Sequence, residues 1–315
     1  MSTLALKGPY WVTVRQYRRT LWLAAAAVAV SLTVIGGLRI WDAQTSDRYY
    51  EDGMRYVAHD NAGYGWLRFV MEYASGILVL LPLLIGAFVA GPLVARELES
   101  GTYKLALTQS ISPTRWLGSK LLTAGAAALA TVWLLTAIYW IGWARVDGSS
   151  QFHWADRGPY EITGPVLTGY VLLAVAVGAL VGQLVRRTLV AMAVTGGIVG
   201  LVLLTLGAFR WDFLSVRTLT GPAVRDASAL MMPEHGLIMG QGLLSDTGQR
   251  MPGWFCASDA PPTACRTDVK VTTEYLDYHP ESHFWPTQLI ETGIVLALAA
   301  LALFAAFRVL RARHP

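Results

Sequence analysis

Few side chains in this sequence stand where they could do chemistry, and most of those lie at the ends of long apolar runs. Glu291 is the one acid well inside such a run, about a turn and a half beyond Pro286, with Gln288 and Thr292 close on the same helix. An ionisable group inside an apolar span is a functional candidate by default, so Glu291 and Gln288 are candidate contacts on a substrate pathway. The competing reading is structural: an interhelical hydrogen bond, or a carboxylate favoured by the positive end of a helix. His279 and His283 sit four residues apart, but Pro280 lies between them and no third ligand stands out, so no metal site is expected. Cys256 and Cys265 are the only cysteines, and Ala260-Pro261-Pro262 between them can turn the chain back. In an extracytoplasmic loop this spacing reads as a disulfide, worth about 2–3 kcal/mol locally; the alternative is two free thiols.

Motifs for catalysis are missing. The sequence contains no GxxxxGK[ST] to cradle the phosphates of ATP, and no HExxH, GxSxG or GxGxxG in a strand-to-helix setting. Apolar residues make up 54% of the chain and charged ones 15%, well below the roughly 25% of soluble domains. The mean hydropathy is +0.43. Such a chain is a membrane domain, and the expected fold class is all-α: a polytopic bundle, residues 1–315 forming one unit.

Six runs are long enough to span a bilayer, at about 21–41, 73–95, 117–143, 164–184, 188–208 and 286–307. Only Val185, Arg186, Arg187 and Thr188 separate the fourth from the fifth, which implies a tight antiparallel pair. As placed, the spans contain no Asp and no His, which argues against intramembrane proteolysis. Short loops and ends rich in Lys and Arg (Lys7, Arg15, Arg18, Arg19, Arg96, Lys104, Arg115, Lys120, Arg186, Arg187, Arg308, Arg311, Arg313) fall on one side, so both termini are expected in the cytoplasm. The net charge of +4 is then the sum of a basic inside and an acidic outside, and it does not point to nucleic acid. The first run ends in Arg39-Ile40-Trp41-Asp42 rather than a small-residue cleavage site, so it is expected to stay as a span.

Residues 8–20, GPYWVTVRQYRRT, suit a helix lying in the cytoplasmic interface, or else an ordinary positive flank. The large outer loop is expected over 209–285, between the fifth and sixth spans. Gly178 and Gly182, and Gly196 and Gly200, are small residues four apart that let helices approach closely, either inside the bundle or at a dimer seam. Trp133 lies deep in the third span, where it faces a cavity or else the core or lipid.

The segment between spans two and three is too long and too polar for a turn. Gly101 should end the helix that continues from span two, and Tyr103–Gln109 can form a short amphipathic helix. Ser112-Pro113 ends it, with Ser112 or Thr114 capping the helix that enters span three. The stretch RELESGTYKLALTQSISPTRWLGSKLL resembles the cytoplasmic segment between spans two and three of ABC-2-type transporter permeases. VTVRQYRR resembles their interfacial helix before span one, and YHPESHFWPTQLIETG resembles the approach to the last span in actinobacterial permeases of the multidrug and antibiotic exporter-like group.

The resemblance implies that 96–116 is a coupling segment gripped by a separate ATP-binding subunit. Glu97, Glu99, Gly101, Thr102, Leu105, Thr108 and Arg115 would be its contact residues. It further implies two ATP-binding subunits that carry ATP and Mg, a second permease copy or a homologous permease, and efflux of an amphipathic or hydrophobic compound such as a drug, antibiotic or lipid-like molecule. This chain itself would be no enzyme and would hold no cofactor. The alternatives are a membrane signalling or assembly protein with a receptor loop outside, and, with least support, a membrane enzyme.

Overall fold

The computed structural model describes residues 14–44, 48–51, 54–57, 61–103, 108, 112–147, 152–222, 230, 233, 235–252 and 271–313. Among these, six helical stretches are long and apolar enough to cross a membrane: Arg18–Gln44, Ala62–Ser100, Pro113–Val146, Val166–Val185, Thr188–Asp212 and Glu281–Arg313. We label the helices α1 (Arg18–Gln44), α2 (Ala62–Ile85), α3 (Gly91–Ser100), α4 (Pro113–Val146), α5 (Arg157–Thr163), α6 (Val166–Val185), α7 (Thr188–Phe209) and α8 (Phe284–Arg313).

The second span is longer than its apolar run suggests. It begins at Ala62, where the Asn61 side chain accepts the Tyr64 N–H at 2.9 Å and caps α2. Residues 62–72, expected in a loop, are helical; Trp66 and Phe69 on this turn are exposed, which suits an aromatic belt at the bilayer surface. Between α2 and α3 lies a π-helical turn, Gly86–Ala90, in which the Gly91 N–H donates to the Gly86 carbonyl. Pro92, just beyond, has no N–H to offer the turn before it, and the wider turn accommodates that loss.

α6 is the centre of the bundle. Fifteen of its residues are buried, including Tyr170, Leu173, Ala174 and Val177, and it packs against α3, α4, α7 and α8. The small residues resolve their two readings in favour of internal packing. A Cβ on Gly178 would stand 2.5 Å from the Ala90 carbonyl carbon, and one on Gly91 would stand 2.9 Å from the Met192 Cα. Gly182, Gly196 and Gly200 likewise face Ala95, Ala87 and Leu83 of the second span. Backbone contact of this kind replaces the hydrophobic drive that lipid does not supply. α1, by contrast, is peripheral: among the described residues it buries only Ile35 and Asp42.

At one end of the bundle the chain adds a small β-layer. Strands β3 (Arg217–Pro222), β4 (Leu237–Ser245), β5 (Arg250–Pro252) and β6 (Val271–His279) form an antiparallel sheet in the order β3-β6-β4-β5. A shorter hairpin joins β1 (Arg48–Glu51) to β2 (Met54–Val57). The all-α bundle is as expected, and the strands are an addition within the loops that join its helices. The Asp277 carboxylate fastens the larger sheet, accepting from the Thr218 hydroxyl at 2.5 Å and pairing with Arg250 at 2.5 Å. Those bonds hold its pKa below the usual aspartate value against the opposing effect of burial.

The boundary of the loop after α1 also shifts. α1 runs to Gln44 and carries Asp42 into the helix, 1% exposed. Its carboxylate accepts from Arg145 at 2.7 Å, Arg39 at 3.1 Å and Asn61 at 3.2 Å, so one residue ties α1 to α4 and to the cap of α2.

Candidate functional site

The end of the bundle opposite the sheet gathers the last turn of α3, the first turns of α4 and α7, and the last turns of α6 and α8. Leu93, Val94, Trp116, Leu117, Ala306 and Leu310 form its apolar floor, with Tyr17, Leu98 and Tyr103 packed against it. α3 stops at Gly101, which adopts φ 74°, the left-handed conformation that glycine enters without a Cβ penalty. α4 starts at the next described turn: Ser112 is extended, its hydroxyl accepts the Arg115 N–H at 3.3 Å, and Pro113 occupies the first helical position. Both expected boundaries of the segment are therefore present, with Ser112 as the cap and Thr114 as its hydroxyl neighbour at 3.3 Å.

Glu97 pins the two ends together. One carboxylate oxygen accepts from Lys120 at 2.6 Å and the other from the Trp116 indole N–H at 3.1 Å. The Lys120 side chain is 4% exposed and that of Glu97 15%, so the lysine is buried while the carboxylate keeps a route to water. Burial, with the Glu97 carboxylate close by, pushes the Tyr17 phenol up to about 12 and keeps it neutral. Two residues on, Glu99 accepts both the backbone N–H of Thr188 at 2.9 Å and its hydroxyl at 2.5 Å. Thr188 opens α7, so a carboxylate from α3 satisfies an N–H that the helix cannot, at the end where the dipole favours negative charge. The tight turn between α6 and α7 presents this cap, with Arg186 left-handed at φ 54°. Arg313 at the end of α8 donates to the Gln183 carbonyl.

Between these pins the segment turns outward. Thr102, Thr108 and the Arg115 side chain are exposed, and the Thr102 hydroxyl bonds that of Ser100 at 2.9 Å. Leu105 and most of the expected Tyr103–Gln109 helix lie outside the described residues. So do residues 8–13 of the expected interfacial helix; residues 14–16 are helical, and a turn at Tyr17 leads directly into α1.

A family model matches the part of the chain that forms this end of the bundle up to α7. The model "ABC-2 membrane transporter related" matches residues 20–210. The chain belongs to this family. Its match takes in α1 to α7 with the segment between α3 and α4, and ends at Arg210, short of the sheet and α8. Searches of curated proteins and of solved structures find no match. An ABC-2 family member is a membrane permease subunit of an ABC transporter, a class that works with an ATP-binding subunit.

The other candidate residues lie at the sheet end of this ABC-2 chain. Glu291 and Gln288 are both 0% exposed. Glu291 accepts from Arg210 at 3.0 and 3.1 Å and from the Tyr170 hydroxyl at 2.7 Å. Arg210 reaches Glu161 of α5 at 2.9 Å and lies 4.0 Å over the Tyr160 ring. Gln288 donates to the Tyr160 carbonyl at 2.6 Å and accepts the Val166 N–H at 3.3 Å. In this arrangement both side chains are engaged in joining α5, α6, α8 and the end of α7. Trp133 is apart from them, 57% exposed on α4, with its indole N–H on the Thr168 hydroxyl at 3.1 Å.

His279 and His283 do meet, Nδ1 to Nδ1 at 2.9 Å, while His279 Nε2 donates to the Trp211 carbonyl at 3.0 Å. That bond puts the His279 proton on Nε2, so His283 is the donor between them. Burial holds the His279 pKa below the ordinary histidine value. No group of three or more metal-type ligands occurs among the described residues. Cys256 and Cys265 lie outside the described residues.

Sequence reasoning missed Lys120, Thr188, Arg210 and Glu161 as partners. Lys120 carried a signal: it is a cation one turn beyond Trp116, inside the start of an apolar run, where it needs an acid.

Proposed function

We propose that this chain is the permease subunit of an exporter for an amphipathic or hydrophobic compound, driven by ATP that a separate subunit hydrolyses. The observation that carries the reading is the clipped segment. Glu97 fixes its two ends to each other and Glu99 fixes it to α7, while Thr102, Thr108 and Arg115 face outward. Ends joined to α4 and α7 in this way would pass a push on to those helices, because packed helices shift as bodies rather than bend.

In this reading two ATP-binding subunits, holding ATP and Mg, grip Glu97–Thr114 of two permease copies, either identical or homologous. Both termini lie in the cytoplasm with the segment, and the sheet lies outside. The efflux substrate, a drug, antibiotic or lipid-like molecule, passes between the paired copies.

The test replaces Thr102 and Leu105 with Asp in the complex purified from its native host. ATPase activity is expected to persist while substrate no longer stimulates it and transport falls at least tenfold. Normal transport by the double variant removes the segment from the mechanism. Purification without any ATP-binding subunit or ATPase activity would favour a signalling or assembly role.

A further inference from the structure

Two cavities run together at the foot of α1. One is an apolar groove of about 220 Å3 between α1, α2 and α4, lined by Leu21, Ala24, Ile85, Ala127 and Leu135 among others. On α4 its wall extends from Thr123 to Leu135, about 18 Å of helix. Among the described residues, no charged side chain lines it. Its threonines on α4 are spent on their own helix: Thr123 donates to the Ser119 carbonyl at 2.7 Å and Thr131 to the Ala127 carbonyl at 2.8 Å. The second cavity is an open basin of about 490 Å3, lined by Val14, Arg15, Arg18, Leu21, Trp22 and Ala25. Val14 and Leu21 line both, so a cationic mouth continues into an apolar slot.

A slot with the length of a hydrocarbon chain and a mouth with two guanidinium groups fits one ligand class. We propose that this is a binding site for an anionic phospholipid, whose phosphate sits on Arg15 and Arg18 while one acyl chain lies between α1, α2 and α4. Guanidinium groups hold phosphate oxygens in bidentate fashion, and basic pockets beside membrane helices select anionic headgroups. A soluble phosphate would leave the slot unused, and a zwitterionic lipid brings the same phosphate together with a choline cation that opposes the two guanidinium groups, which an anionic lipid does not. Tyr17, which lines the slot, also packs on the floor beneath the Glu97 pair. The occupied site would therefore brace α1 against the foot of the clipped segment.

Native mass spectrometry of the full chain in detergent tests this, with phosphatidylglycerol and phosphatidylcholine of identical acyl chains offered at equal concentration. Two arginines at the headgroup predict about thirtyfold tighter retention of phosphatidylglycerol. R15Q/R18Q should bring the two lipids level. A24F/A127F, which fills the slot, should lose both, and glycerol phosphate should not compete. If A24F/A127F melts below the parent chain, R15Q/R18Q alone decides.

Equal retention of the two lipids by the parent chain overturns the proposal, as does phosphatidylglycerol binding that R15Q/R18Q leaves unchanged or glycerol phosphate displaces. A lipid-free dimer would assign the groove to a second copy. A chain lacking residues 2–13 that gains lipid where the full chain holds none would assign it to that segment. Lipid binding is read without any ATPase, so its failure leaves the transport reading untouched.

Discussion

At the sheet end Arg210 lies between two carboxylates, and all three side chains are at most 2% exposed. At the opposite end Glu97 and Glu99 also join helices, but Glu97 is only partly withdrawn from water and Glu99 is exposed. Both ends use acids to fasten spans that are distant in sequence. The difference lies in the cost of letting go. Buried charges must be separated without water to receive them, whereas a rim carboxylate can exchange one donor for another. The sheet end is built as a clamp, and the segment end as a joint that can transmit or release load.

The largest predicted effect breaks the clamp. Arg210→Met leaves Glu161 and Glu291 buried without their shared cation and should cost about 3–5 kcal/mol, read as a lowered melting temperature in detergent. Adding Glu161→Gln and Glu291→Gln to it should restore most of the loss; if the triple variant melts as low as the single one, the charges are not what Arg210 supplies.

Next is Lys120→Met, which strips Glu97 of its charged donor. We expect a loss of about 1.5–3 kcal/mol, smaller than at Arg210 because Glu97 keeps the Trp116 N–H and a route to water. A melting change as large as that of Arg210→Met would erase the distinction between the two ends.

A smaller effect separates the sheet from the bundle. The Asp277 pKa is lowered in the folded protein, so its contribution is present at neutral pH and fades as the pH drops below about 4 through the lowered value. Hydrogen exchange of β4 and β6 amides should accelerate on that acid limb while α6 stays protected; simultaneous loss of both would make sheet and bundle one cooperative unit. The smallest stability effect is expected for Glu99→Gln, whose amide oxygen still accepts from Thr188. Its melting temperature should match the parent, while coupling of ATPase to transport declines because the charge on the α7 dipole is gone. A parent-like coupling ratio would take Glu99 out of the joint.

Much of this comparison was legible in the residues. The six apolar runs, the Arg186-Arg187 turn, the break at Gly101 and the cap at Ser112 are local features, fixed by hydropathy or by one residue's conformational preference. The clamp was not legible in the same way. Arg210 finds Glu161 and Glu291 at separations of 49 and 81 residues, and nothing local to any of them names the others. The sheet was hidden for a related reason: its central pairings, β3 with β6 and β6 with β4, join strands far apart in the sequence, and a short turn links β4 to β5 alone among the described strands of the sheet. The early start of the second span escaped because Tyr64, Trp66, Arg68 and Glu72 dilute its hydropathy, although they suit a helix end at the bilayer surface.

The π turn at Gly86–Ala90 has a geometric consequence for the clipped segment. Such a turn carries one residue more than an α-helical turn, and one residue is about 100° of rotation about the helix axis. The stripe of α2 that packs through Leu78 and Ile85 and the stripe of α3 that packs through Leu93 and Val94 are thus offset by that angle. Glu97 and Glu99 point at Lys120 and Thr188 because the offset exists. Rewinding that turn into α-helix with no residue removed would swing both carboxylates away from their partners, whereas deleting one of its residues takes up the extra one and leaves them facing Lys120 and Thr188.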